Sequence, residues 1–341
     1  MLLVLLLAAG GAARACTTVT LLAADRAWLD MACVVARQAL RMPRQCVLLH
    51  ALDGAPSTCA AWRRRLWRAG TQPPPCVAVA HTAAGASTSA WGTPAYFARI
   101  APRLATLLAL LESDELGAGV RGVLALDADV ALLRNVAARA ERRGADFVFQ
   151  RELPCAAAEP CANGGVFWLD ARSPRVRRVL RRALRYMRDL ALPDQDALQE
   201  ALAALPETRV AYLDALTHPN GWLAAYDDRV PAERALHLVH ANWLPTRAAK
   251  RARLASLAGW RRDASACGAL PNATAAEPPP PPPPPLATCQ LPRAWLAALG
   301  CRDAACAARR SARIRARCPP EARIEHAILR YINSRRHAPD A

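Results

Sequence analysis

Short apolar runs alternate with longer helical patterns along most of this 341-residue chain, and this alternation restricts the fold more than any other feature. Residues 17–22 form a β-branched apolar run typical of a strand, and apolar side chains recur at helical spacing over residues 27–40. The same patterns predict eight strands, at residues 17–22, 46–50, 77–80, 120–126, 146–150, 165–169, 209–213 and 236–239. They predict helices at residues 27–40, 96–111, 175–190 and 195–205. This order predicts an α/β fold with a mostly parallel sheet flanked by helices, whose ligands bind at the carboxyl ends of the strands.

The chain divides into four predicted segments. Residues 1–15 are a predicted signal peptide, because a short apolar run precedes Ala13-Arg14-Ala15, which has the small-x-small form of a cleavage site. The run is much shorter than the ~20 residues that span a bilayer. We therefore predict no stable transmembrane anchor, with an uncleaved short anchor as the alternative. The main domain is predicted at residues 16–268, a proline-rich linker at 269–288, and a basic, cysteine-rich tail of unknown role at 289–341.

The cysteine content indicates an oxidising compartment. Twelve cysteines in a chain with a signal peptide usually form disulfides, and Cys155 and Cys161 are spaced to close a small local loop. Zinc binding is not predicted, because the chain has no paired CxxC motifs. Asn272-Ala273-Thr274 is an N-glycosylation sequon. Together these features predict the secretory pathway, with the Golgi lumen first and secretion as the alternative.

The formal net charge of +17 raises nucleic acid as a partner. The charge comes almost entirely from arginine, since Lys250 is the single lysine, and it is spread over the whole chain. Only 5% of the residues are aromatic, so the basic residues lack the stacking platform of single-strand binding proteins. No nucleic-acid partner is predicted, and the basic surface favours acidic glycans or phosphates.

Two carboxylates follow a predicted buried strand directly, in the sequence Asp127-Ala128-Asp129. Where the chain turns after the strand, both can reach one hard cation such as Mn²⁺ or Mg²⁺, which also binds a diphosphate. Such a cation would neutralise charge on a departing nucleoside diphosphate. The motif alone is weakly specific, because two aspartates at this spacing arise often by chance.

Three further segments strengthen the metal-site interpretation. Asn163-Gly164-Gly165 precedes a strand, where glycines allow close approach to a ligand, although an ordinary turn would have the same sequence. Asp194 opens a helix beside Gln195, and it could serve only as an N-cap. His240 ends the last predicted strand and could be an ordinary core histidine. Lys250, ten residues later, is a compact ammonium of the kind that binds phosphate.

In this order, these segments resemble the nucleotide-diphospho-sugar transferase domain of plant and algal wall glycosyltransferases, the family of rhamnogalacturonan xylosyltransferases and extensin arabinosyltransferases. The resemblance runs from about residue 17 to residue 260. It implies a GT-A fold, a UDP-sugar donor, Mn²⁺ or Mg²⁺ as cofactor, a glycan or glycoprotein acceptor and retention of anomeric configuration. More distantly, the chain resembles glycogenin and bacterial lipopolysaccharide galactosyltransferases.

The resemblance also implies a role for each matching residue. The metal ligands would be Asp127, Asp129 and His240. The donor would be bound by Arg99, Arg103, Asp127, Asn163, Gly164 and Lys250, with an arginine near the nucleotide phosphates and Lys250 at the pyrophosphate. The catalytic residues would be Asp194 and Gln195, with Gln195 positioning the donor while the acceptor attacks from the same face. The family has glycine where Thr246 stands, which affects the loop that would approach the diphosphate.

Two other functions are compatible with parts of the sequence. A sugar-nucleotide pyrophosphorylase would need a glycine-rich loop after the first strand, and residues 23–26 contain no glycine. A catalytically inactive secreted protein that binds sugar or nucleotide on the same fold is the main alternative. The paired aspartates with His240 and Lys250 count against it, because a simple binding module has no evident need for a metal and diphosphate site.

Overall fold

The computed structural model describes residues 16–78, 94–113, 116–152, 161–190, 192–226, 230–244 and 246–270. Its strands are β1 Thr18–Ala24, β2 Gln45–Ala51, β3 Cys76–Ala78, β4 Gly122–Asp127, β5 Val130–Leu132, β6 Phe147–Glu152, β7 Cys161–Asp170, β8 Val210–Tyr212 and β9 Leu238–His240. Its α-helices are α1 Leu29–Leu40, α2 Pro56–Arg68, α3 Pro94–Glu112, α4 Val136–Glu141, α5 Pro174–Leu190, α6 Asp194–Ala203, α7 Gly221–Tyr226, α8 Arg247–Ala255 and α9 Ala258–Cys267.

The main sheet has the strand order β3-β2-β1-β4-β7-β6-β8. The first four strands are parallel, β7 is antiparallel to both of its neighbours, and β6 is parallel to β8. A second, two-stranded sheet pairs β5 with β9 in antiparallel orientation. The predicted α/β fold class, with a mostly parallel sheet between helices, is confirmed for the described part of the chain.

Helices cover both faces of the main sheet because successive side chains of its strands point in opposite directions. In β4, Val123 and Ala125 join an apolar cluster with α3, α5 and α6. Leu124 and Leu126 join a second cluster with α1, α2 and α9 on the other face. Burial on both faces explains why the central strands read as continuous apolar runs.

Three disulfides connect the described elements, as the cysteine content predicted. Cys16–Cys46 joins the segment before β1 to β2, Cys33–Cys267 joins α1 to α9, and Cys59–Cys76 joins α2 to β3. Each pair lies on elements that are neighbours in space. The predicted pairing of residues 155 and 161, the signal peptide and the tail from residue 289 lie outside the described residues or side chains.

Several elements differ from the sequence prediction. The helix α2 and the short strand β5 were not predicted, nor were α4, α7, α8 and α9. In α2, exposed arginines interrupt the apolar period, and β5 has only three residues. The strand predicted at residues 165–169 is longer and spans Cys161–Asp170, so Asn163 and Gly164 belong to β7 and not to a turn before it. Within the described residues, no helix is both long and apolar enough to cross a membrane.

Candidate active site

The site begins at the carboxyl end of β4, where Asp127 is the last strand residue and Asp129 follows in the turn. The next strand, β5, pairs with β9 so that Val130 lies opposite His240. The backbone N–H of Ala241 donates to the Asp129 carbonyl at 2.8 Å. Because of this pairing, two segments more than 100 residues apart meet at the aspartates.

His240 and the two aspartates form a compact set of potential metal ligands. His240 Nε2 lies 3.3 Å from Asp129 Oδ1 and 3.8 Å from Asp127 Oδ2. One ligand atom from each of the three residues lies within 4.8 Å of the other two. The three residues predicted as metal ligands are therefore brought together, and two carboxylates with an imidazole can hold a divalent cation.

The ring of His240 is oriented by a residue that the sequence analysis did not identify. His240 Nδ1 lies 3.0 Å from Gln150 Oε1, and Gln150 in turn donates to the His218 carbonyl at 3.0 Å. An amide oxygen can only accept, so Nδ1 carries a proton, and in the neutral imidazole the lone pair is therefore on Nε2. Nε2 is buried and has no hydrogen-bond partner among the described residues. The sequence did contain a signal for this role, because Gln150 is a polar residue near the carboxyl end of a buried strand.

The two aspartates have different electrostatic environments. Burial raises the pKa of Asp127, although the nearby Arg103 guanidinium opposes this. Burial also acts to raise the pKa of Asp129, but the positive charge of the Lys250 ammonium opposes it, and that pKa lies below its usual range. Lys250 Nζ lies 2.5 Å from Asp129 Oδ2. Asp129 is thus held as an anion.

Two glycines of β7 permit this close arrangement. A Cβ added at Gly165 would lie 2.3 Å from Asp127 Oδ2 and 2.6 Å from His240 Cε1. At Gly164 it would lie 2.9 Å from the Gln195 Cβ. All three distances are shorter than real Cβ contacts, so side chains here would displace the site residues. The close approach of β7 to the site's own side chains therefore requires these glycines, and the predicted role of Gly164 in donor binding stays a prediction.

Arg103 is the buried centre of a second group of contacts. Its guanidinium donates to the carboxylates of Asp127 and Asp194 and to the Gly164 carbonyl. It therefore ties α3 to the ends of β4 and α6 and to β7. The predicted contact between Arg103 and the nucleotide phosphates stays a prediction. Arg99 lies outside the residues whose side chains the structure describes.

Asp194 and Gln195 begin α6 and face β7. Both carboxylate oxygens of Asp194 are occupied, because Oδ1 accepts the Gln195 N–H at 2.9 Å and Oδ2 accepts from Arg103. Pro193 is the N-cap residue of α6, and Asp194, the first residue of the helix, satisfies a backbone N–H of the first turn, so a capping role and a functional role remain compatible. Gln195 Oε1 accepts the Gly164 N–H at 2.8 Å.

Glu152 organises the far side of the site, and the sequence analysis missed it. Its carboxylate accepts hydrogen bonds from Asn163 Nδ2, from Asn242 Nδ2 at 3.1 Å and from Trp243 Nε1 at 2.6 Å. Burial raises the pKa of Glu152. Asn163 Oδ1 also accepts the Gly165 N–H at 2.8 Å. Asn163 is therefore fixed by the protein at both ends of its amide.

Lys250 reaches the metal-ligand group from α8. Thr246 Oγ1 caps this helix by accepting the Ala249 N–H at 3.0 Å. Buried Asp30 fixes the helix through Arg247 at 2.6 Å and Arg251 at 3.5 Å. The Lys250 ammonium lies 5.4 Å from the centre of the Trp28 ring, within cation–π range.

The chain shows a match to a protein family that agrees with this site. The family model described as nucleotide-diphospho-sugar transferase matches residues 69–254, more than half of the chain. This match defines the class of the protein, an enzyme that transfers glycosyl groups. The chain belongs to the nucleotide-diphospho-sugar transferase family and is a glycosyltransferase.

Solved structures with a similar fold are also glycosyltransferases. An active-site mutant of LgtC is 15% identical, with 75% of this chain and 97% of that chain covered and a TM-score of 0.49. The galactosyltransferase LgtC in complex with donor and acceptor sugar analogs is 16% identical, with 82% and 100% covered and a TM-score of 0.49. The glycosyltransferase GlyE of Streptococcus pneumoniae TIGR4 is 14% identical, with 76% and 66% covered and a TM-score of 0.46. No curated protein matches the chain.

Proposed function

We propose that this enzyme transfers a sugar from a UDP-sugar donor to a glycan or glycoprotein acceptor, with a divalent cation held by Asp127, Asp129 and His240. The observation that carries the proposal is the buried, unpartnered Nε2 of His240 beside two carboxylates. A buried polar atom without a partner is costly in a folded protein. A bound cation removes that cost, because Nε2 then has a metal to which it donates its lone pair.

The donor set favours Mn²⁺ over Mg²⁺. Mg²⁺ binds oxygen ligands almost exclusively, whereas Mn²⁺ accepts an imidazole together with carboxylates. When bound, the cation would offset the negative charge that builds on the departing diphosphate. Lys250, which lies at the Asp129 carboxylate, supplies a second positive charge for the same group.

The family resemblance implies retention of configuration, and the contacts of Asp194 favour same-face attack over a covalent sugar intermediate. The Asp194 carboxylate is buried and accepts hydrogen bonds from Arg103 and from the Gln195 N–H, and these contacts stabilise its charge and make it a weaker nucleophile. The Gln195 side chain is a neutral amide and a poor nucleophile. We assign Gln195 and Asp194 to positioning of the donor sugar, while the acceptor hydroxyl attacks from the side that the diphosphate leaves.

We also propose membership in the plant and algal wall subgroup, with action in the Golgi lumen. Three disulfides between described elements support an oxidising compartment. The departure at Thr246 is compatible with function, because its φ of −118° is ordinary extended backbone. The hydroxyl caps α8, the helix that carries Lys250. The proposal keeps the four segments predicted from the sequence, with the catalytic domain at residues 16–268.

The test is release of UDP by the full chain, produced in a secretory host. UDP-xylose, UDP-arabinose, UDP-galactose and UDP-glucose are each supplied with Mn²⁺, with Mg²⁺ or with chelator. Asp129→Ala is the test variant. Glu141→Ala is the matched control, because it removes a carboxylate whose ion pair is with the exposed Arg121.

We expect Mn²⁺-dependent release of UDP from one donor, lost in Asp129→Ala and kept in Glu141→Ala. Binding of UDP and Mn²⁺ without turnover, even with a range of glycan acceptors, would favour the inactive binding protein. Turnover that is unaffected by chelator and by Asp129→Ala would contradict the metal assignment.

A further inference from the structure

The helix α5 has a strongly charged outer face. Seven of its 17 residues are arginines, and its side chains separate into two faces. Val176, Val179 and Leu180 are fully buried against the main sheet. The buried face holds the helix against the domain. The arginines therefore project from the opposite, solvent-facing side of α5.

The arginines line a groove of about 750 Å³ on the surface of the domain. Its lining consists of three leucines, from α3, α5 and the segment before β8, and five arginines of α5: Arg178, Arg181, Arg182, Arg185 and Arg188. Arg182 is fixed by donating to the Ala204 carbonyl at 2.9 Å. The groove thus combines an apolar lining with a row of guanidinium groups.

The positive charge of this groove is available to a ligand. Three arginines of the groove form ion pairs, Arg178 with Glu207 at 3.2 Å, Arg181 with Glu112 at 2.6 Å and Arg188 with Asp189 at 2.7 Å, but all six side chains are more than one-third exposed. Exposed ion pairs contribute little to stability, so a carboxylate from a ligand can replace the protein's own. Arg185 is exposed and forms no ion pair with any described residue.

The shape of the row fits a linear polyanion. Arg178 and Arg188 are ten residues apart in α5, which corresponds to about 15 Å along the helix axis. Repeated positive charge along one line matches repeated negative charge along a polymer, and arginine binds carboxylates with two parallel hydrogen bonds.

Other polyanionic surfaces fit the groove less well. A membrane-binding helix presents apolar side chains outward, whereas the apolar face of α5 is buried in the core. Single-stranded nucleic acid needs exposed aromatic rings, and Tyr186, the aromatic residue of α5, packs against the core.

The groove is also near the site of transfer. Arg188 precedes Asp194 by six residues, so their backbones are at most about 22 Å apart. We propose that the α5 groove binds the acidic part of a polysaccharide acceptor whose end is then glycosylated at the active site. The acceptor role rests on the proposed function, whereas the binding of an acidic polysaccharide can be tested separately.

The test measures binding of the full chain to carboxymethyl-dextran and to neutral dextran at an ionic strength of about 0.1 M, where the Debye length is about 10 Å. The groove variant is Arg181→Gln/Arg185→Gln/Arg188→Gln. The matched control is Arg63→Gln/Arg64→Gln/Arg68→Gln, which removes the same charge from three exposed arginines of α2. Thermal melting confirms that each variant folds, and Arg185→Gln alone serves if the triple groove variant does not.

We expect carboxymethyl-dextran to bind and dextran not to bind. The groove variant should bind about tenfold more weakly, equivalent to about 1.4 kcal/mol. The control should lose less than about threefold, because screening limits the effect of distant charges.

Equal losses in both triple variants, or no binding by the unmodified chain, would overturn the proposal. Groove-dependent binding to phosphatidylserine vesicles without binding to carboxymethyl-dextran would assign the groove to a membrane and also overturn it. UDP release by the unmodified chain tests the proposed function independently of these results.

Discussion

Replacing Gly165 with alanine should disable the enzyme without unfolding it. The added methyl carbon would lie 2.3 Å from Asp127 Oδ2 and 2.6 Å from His240 Cε1. An ordinary contact needs more than 3 Å, so both metal-ligand side chains must move by roughly 1 Å, and displacement of that size costs about 100-fold in rate. The backbone of Gly165 does not have a positive φ, so alanine is not strained there by its own conformation.

The assay is Mn²⁺-dependent release of UDP, with Mn²⁺ affinity measured in the presence of UDP. Gly119→Ala is the matched control, because a Cβ there meets only the Cys16 carbonyl at 3.6 Å. We expect Gly165→Ala to lose about 100-fold in kcat/KM and to bind Mn²⁺ more weakly, while its melting temperature stays near that of the control. Activity within about threefold of the unmodified chain would refute the reasoning from close approach.

Three further predictions concern ligand orientation, a disulfide and a buried histidine. Gln150→Leu should weaken Mn²⁺ binding about 10–100-fold, because His240 loses the acceptor that fixes its proton on Nδ1; unchanged affinity would contradict this. The double variant Cys33→Ser/Cys267→Ser should lower the free energy of unfolding by about 2–5 kcal/mol, measured by urea titration, because the bond closes a loop with a sequence separation of 234 residues; an unchanged urea midpoint would exclude a stabilising role. Burial lowers the pKa of His218 to about 4. The folded state therefore binds fewer protons than the unfolded state, and stability present above pH ~6.5 is lost as the pH falls toward 4. Between pH 7.5 and 5 the chain should lose about 2 kcal/mol more than His218→Asn; equal losses in urea titrations at the two pH values would refute this.

The parts of the fold that the sequence predicted are those with a strong local signal. The strands β1, β2 and β4 are buried on both faces, so most of their residues are apolar. The strand β5 has three residues and becomes a strand only by pairing with β9, more than 100 positions later. In α2, Arg63, Arg64 and Arg68 occupy the solvent face and obscure the apolar period. Short elements fixed by distant partners leave no local pattern to detect.

The candidate site shows the same difference between residues with a local sequence signal and residues placed by distant partners. Asp127 and Asp129 are two residues apart, so the sequence alone indicated that both carboxylates could reach one site. The contact of His240 with them depends on the β5–β9 pairing, and it was predicted only through a family resemblance. Gln150 and Glu152 carried a weaker signal, as polar residues near the end of a buried strand.

Charge explains why the role of Arg103 could not be predicted from sequence. The family resemblance implies that Arg99 or Arg103 approaches the nucleotide phosphates, and in the structure the Arg103 guanidinium is buried between Asp127 and Asp194. Without it, the carboxylates of Asp127, Asp129 and Asp194, of which the last two are buried, would face the single charge of Lys250, which is unfavourable for folding. With it, these three carboxylates exceed the two cations by one negative charge, ionised Glu152 adds a second, and the proposed divalent cation would offset this charge. Arg103 therefore balances part of the negative charge of the site, and the cation proposed above would balance the rest, a division that follows from the three-dimensional arrangement of the charges and not from their order in the chain.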